Sequence, residues 1–85
     1  MPEKLIGKIT HYFSQIGVGV IQIKEGKLKV GDTIHIKGRT TDLIQKIDSL
    51  QVDKAPVEKI GPGESAGLKV TDHVRDHDEV YLVEE

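Results

Sequence analysis

Short runs in which apolar and polar residues alternate recur along this chain, each closed within a few residues by glycine or proline. Ile34 and Ile36 alternate with Thr33, His35 and Lys37, while Ala66, Leu68 and Val70 alternate with Ser65, Gly67 and Lys69. A period of two sends successive side chains to opposite faces, so each run reads as a half-buried strand. The connections are short. Glu25-Gly26-Lys27, Gly31-Asp32, Lys37-Gly38-Arg39-Thr40 and Pro62-Gly63 all read as turns, with Gly38 supplying the unusual backbone angles of a hairpin.

Other segments extend the pattern. Leu5, Ile9 and Phe13 share one parity, with Gly7 and His11 between them, which places a first strand over about residues 5–13 and puts Phe13 inside and Tyr12 outside or at the rim. Residues 18–23 are apolar on both faces, as in a strand covered on both sides or crowded inside a small barrel. Residues 41–52 are ambiguous, because Leu43, Ile47 and Leu50 have the spacing of a helix face. Their β-branched neighbours and weak capping favour one long strand with a bulge near Asp48. Residues 53–62 form a loop anchored by Val57 and Ile60, residues 71–78 have room for one helical turn, and residues 79–83 are the last strand. Gly7, Gly19 and Gly67 lie inside strands, where glycine marks sharp coiling or close backbone approach.

These elements predict an all-β fold, a small closed or nearly closed antiparallel β-barrel of about six strands, with residues 1–85 forming one domain. The expected core is Ile9, Phe13, Val20, Ile34, Ile36, Leu50, Leu68, Val70 and Leu82. With 85 residues and only Tyr12, Phe13 and Tyr81 as aromatics, the core is aliphatic. Such a chain buries roughly 60–65% of its unfolded surface, which leaves a modest stability margin.

Composition narrows function by exclusion. Cysteine is absent, which removes disulfides, thiolate zinc sites and cysteine nucleophiles and fits a cytoplasmic setting. Met1-Pro2-Glu3-Lys4 reads as an ordinary soluble start, and no apolar run approaches a membrane span. His73 and His77 stand four apart among Asp72, Asp76 and Asp78, but one short loop is a poor source of converging ligands and reads as solvated surface. His11 reads as a barrel-end histidine held by a backbone carbonyl. No nucleophile elbow is present, and no helix follows Gly17-Val18-Gly19 to bind phosphate. Neither an enzyme nor a cofactor is expected.

Net charge is −2, unevenly spread. Lys24, Lys27, Lys29, Lys37, Arg39 and Lys46 outnumber the acids between them, whereas residues 72–85 are strongly acidic. That distribution suits either a focused RNA contact or protein docking.

Five pieces stand in order: Gly7-Lys8-Ile9-Thr10-His11-Tyr12-Phe13, Ile16-Gly17-Val18-Gly19-Val20, Glu25-Gly26-Lys27-Leu28-Lys29-Val30-Gly31-Asp32, Ile47-Asp48-Ser49-Leu50-Gln51, and Ile60-Gly61-Pro62-Gly63-Glu64-Ser65-Ala66-Gly67-Leu68. Together, over about residues 5–83, they resemble the second, β-barrel domain of translational GTPases such as elongation factor Tu and bacterial initiation factor two. No GxxxxGK[ST] phosphate loop accompanies them, so GTP is not expected to bind. The resemblance implies a stand-alone, translation-related binding module for tRNA, the ribosome or a translation-associated enzyme. Lys24, Lys27, Lys29, Lys37 and Arg39 are then the candidate RNA contacts, with Tyr12 as a base-stacking surface. The competing reading is a protein-interaction module that docks on a partner enzyme without touching RNA. A third is one domain separated from a larger factor.

Overall fold

Ten strands follow one another in the computed structural model, which describes residues 3–83: β1 (Glu3–Phe13), β2 (Val18–Ile23), β3 (Leu28–Lys29), β4 (Thr33–Lys37), β5 (Asp42–Lys46), β6 (Leu50–Val52), β7 (Ala55–Val57), β8 (Lys59–Ile60), β9 (Ser65–Lys69) and β10 (Glu79–Val83). All pairings are antiparallel. The main sheet runs β5-β4-β10-β1-β2-β9-β6-β7, and β3 and β8 form a small separate ladder. The six strands of five residues or more are contiguous in that order, from β5 to β9. Among the described residues no helix is long and apolar enough to cross a membrane.

The barrel is nearly closed. Its seam lies between β5 and β9, where the Gln45 side chain takes the part of a missing strand backbone. Gln45 Nε2 donates to the Lys69 carbonyl at 2.9 Å, and the Thr71 amide donates to Gln45 Oε1 at 3.0 Å.

β1 departs from simple alternation. Its register shifts between Leu5 and Gly7 against β10, and between Ile9 and His11 against β2. Each inserted residue turns the following side chains to the other face. Ile6 and Ile9, three apart, are therefore both fully buried, while Leu5 turns outward. Beyond the second shift Tyr12 leans onto the core and Phe13 is 49% exposed, the reverse of what alternation from Leu5 implies. His11 is exposed as well. It stacks on Phe13 with ring centroids 6.2 Å apart rather than sealing a barrel end. At the first shift β1 and β2 approach so closely that a Cβ on Gly7 would strike the Gln22 carbonyl oxygen.

One aliphatic cluster fills the interior. Ile9, Ile34, Ile36, Leu50, Leu68 and Val70 are buried as expected, but Val20 and Leu82 are only half-buried. β2 turns Gly19, Ile21 and Ile23 inward, so Val20 falls on its other face. Residues 41–52 form no helix. β5 and β6 are separate strands near opposite edges of the sheet, and the segment between them is pinned where the Ile47 amide donates to Asp32 and its carbonyl accepts from Gly31. Residues 71–78 contain no helical turn either. Fully buried Val74 plugs this loop into the core, and the Ile9 and His77 amides stitch it to β1. The buried Asp78 carboxylate accepts from the Arg75 amide and lies where a Cβ on Gly38 would stand. Gly38 is thus required by space. It is absent from the glycines with positive φ, so the expected backbone angle is not the reason.

Candidate functional site

Strand register brings three rows of side chains onto the outer face of β1, β10, β4 and β5. Leu5, Tyr81, His35 and Ile44 stand side by side in the middle row. Lys8, Glu79, Lys37 and Asp42 form one flanking row, with charges alternating in sign. Glu3, Val83, Thr33 and Lys46 form the other. Leu5 and Ile44 remain 39% and 60% exposed at the two ends of the middle row, so the face offers apolar surface framed by charge.

His35 is the centre of this face. Although on the outward side of β4, it is 9% exposed, covered by carboxylates from two other strands. Glu3 Oε2 lies 2.7 Å from Nδ1 and Asp42 Oδ1 lies 2.5 Å from Nε2. A neutral imidazole can donate from one nitrogen only, so two carboxylate acceptors hold the doubly protonated ring. The hydrogen bond to Asp42 is the main cause raising the His35 pKa above 6.5, opposed by burial and reinforced by Glu3. With both nitrogens engaged, no lone pair is left for a general base or a metal. The Tyr81 ring lies 6.5 Å from His35, and Lys37 Nζ lies 5.9 Å from the Tyr81 centroid. Hairpin pairing alone sets Lys37 opposite Asp42 and so Asp42 diagonal to His35. Nothing in local sequence signals Glu3.

Beside the face opens a cleft of about 350 Å³ lined by Leu5, Ile6, Gly7, Lys8, Lys24, Glu25, Lys37, Gly38, His77 and Glu79. It brings Lys24 and Lys37 together, two of the basic residues singled out in the sequence. Lys27 lies in a separate hollow with Lys59 and Glu64. Lys29 and Arg39 are exposed and line neither. Tyr12 is half-buried against the core and meets His73 in an edge-type contact with centroids 4.6 Å apart, away from the lysines of the cleft. Among the described residues no group of three or more His, Asp or Glu side chains is arranged to hold a metal ion.

Comparison with known proteins assigns the barrel elsewhere than the resemblance did. No protein-family model matches the chain. Its sequence is 38% identical over 77 residues to a collagenase of Porphyromonas gingivalis, a match covering 89% of this chain and 21% of that protein. It is 36% identical over 81 residues to an uncharacterized protease of Methanocaldococcus jannaschii, covering 94% of this chain and 20% of that one. The chain thus spans about a fifth of the length of the curated relatives it matches. Among solved structures, the C-terminal domain of a Geobacillus thermoleovorans putative U32 peptidase superposes with a TM-score of 0.87 at 14% identity, over 95% of this chain and 93% of that one. Its selenomethionine variant superposes with a TM-score of 0.84 at 16% identity, over 91% and 96%. These establish the fold.

The resemblance to the second domain of translational GTPases is therefore overturned, and with it the translation-related, RNA-binding reading. Its motifs were turns and glycines that a small barrel needs for its own geometry. Gly26 and Gly31 have φ of 80° and 99°, and Gly7 is set by contact with Gln22. Such positions report on architecture, and unrelated functions share architectures.

Proposed function

We propose that this chain is a non-catalytic protein-interaction module that serves a protease, docking through the outer face of β1, β10, β4 and β5. The observation that carries the reading is the match to two named proteases in which the equivalent stretch is only about a fifth of the protein. A segment that small leaves the greater part of each relative to carry the chemistry. The face itself supports protein docking, with exposed Leu5 and Ile44 aligned between charged rows. His35 is held as a cation between two carboxylates and supplies polarity and rigidity there rather than proton transfer. A cytoplasmic setting belongs to the same reading, supported by the cysteine-free composition.

The test uses the Porphyromonas gingivalis collagenase. Deleting its matched stretch should leave hydrolysis of a short fluorogenic peptide within roughly threefold of the intact enzyme. Cleavage of a large protein substrate should fall at least about tenfold, and grafting this chain into the gap should restore it. A folded deletion protein that has also lost the short-peptide activity would place catalysis in this stretch and sink the reading.

A further inference from the structure

We infer that the outer face of β1, β10, β4 and β5 pairs with the same face of a second copy of this chain. The inference rests on the docking-module reading and names its partner.

The warrant is the order of charges across the sheet. Consider a second copy turned face to face about a two-fold axis that lies in the interface, runs along the strands and passes between β10 and β4. Each row then meets itself in reverse, as an isologous interface requires. Lys8 faces the second copy's Asp42, and Glu79 faces its Lys37. In the other charged row Glu3 faces Lys46, while Val83 meets Thr33. Between them Leu5 meets Ile44 and Tyr81 meets His35, so apolar surface lies on apolar surface and an aromatic ring covers the clamped cation. Both carboxylates that hold His35 thereby gain a lysine from the other copy.

Neighbouring arrangements fail the same criterion. An axis shifted onto β10 sets Lys8 against Lys37 and Glu79 against itself, and one shifted onto β4 sets Lys37 against itself and Glu79 against Asp42. An axis running across the strands through the middle row presses the two His35 cations together. Like charges in register oppose association, so the alternation selects one axis. The chosen axis also keeps the strands of both sheets nearly aligned, the usual geometry of stacked sheets.

Four strands and five residues span a patch of roughly 19 by 17 Å, measured along a sheet that curves toward a nearly closed barrel. That is small beside the roughly 800 Å² that each partner of a stable pair commonly buries. The dimer is accordingly weak in isolation, concentration-dependent and sensitive to salt.

Sedimentation equilibrium of the purified chain at low salt, across the micromolar to millimolar range, tests this. Wild type is expected to approach the mass of a dimer. Ile44→Asp, at a position exposed in the single chain, and Lys37→Glu should each weaken association at least about tenfold, with circular dichroism confirming that both remain folded. Combining Lys37→Glu with Glu79→Lys should restore dimerisation, because the two positions face each other across the axis. Wild type that stays monomeric to millimolar concentration, dimers indifferent to both single variants, or a folded charge swap that fails to recover would each overturn the inference. If the chain is monomeric while its graft still restores large-substrate cleavage to the collagenase, the second-copy inference alone falls. Dimers alongside a failed graft would sink the protease reading alone.

Discussion

His35 shows how far a single residue can depart from its local pattern. Alternation places it on the solvent side of β4, and it is there, yet Glu3 and Asp42 enclose it. Its pKa is raised, chiefly by the hydrogen bond to Asp42. A raised folded-state pKa means that protonation favours the native state. The clamp's contribution is fully present below the unfolded value near 6.5 and is lost as pH rises through the folded value. The stability difference between wild type and His35→Gln should therefore be largest at mildly acid pH, about 1 kcal/mol given how exposed Asp42 is, and shrink toward alkaline pH. Urea unfolding of both proteins across that range measures it. A difference that grew with pH would show that the ring is neutral in the fold. Gly38 makes the companion point: the sequence marks a glycine, but only the loop carrying Asp78 explains why a side chain is excluded.

At the scale of elements, legibility tracks regularity. β4 and β9 carry regular ladders, and their inward residues are the ones alternation predicts. β1 carries two register shifts, and there alternation inverts Leu5, Tyr12 and Phe13. A bulge leaves little trace in sequence because it is decided by how two strands meet. The division of residues 41–52 into β5 and β6 has a similar cause, since their pairing partners stand far apart in the sheet. At the β5–β9 seam, Gln45→Ala removes the side chain that bridges the two strands. It should cost about 1 kcal/mol by urea unfolding and accelerate hydrogen exchange at the Thr71 amide severalfold, leaving β4–β10 amides protected. Equal acceleration everywhere would show that the seam does not open locally.

For the molecule as a whole, stability rests on one aliphatic cluster, in which Leu68 is 2% exposed. Leu68→Ala should cost about 2–5 kcal/mol, a large share of the margin of so small a domain, measured as a shift in the urea midpoint. A loss under about 1 kcal/mol would mean that the site collapses around the gap. The class of fold was already determined by the sequence alone, because side-chain alternation and glycine turns are local properties of the backbone. So were the absence of cysteine and the uneven charge. Tertiary structure alone decided which charges share a surface. Lys8, Glu79, Lys37 and Asp42 come from four strands, and they form an alternating row only once strand order and register bring them side by side. The candidate docking face is a property of pairing between distant segments, and a local pattern carries no record of which segments pair.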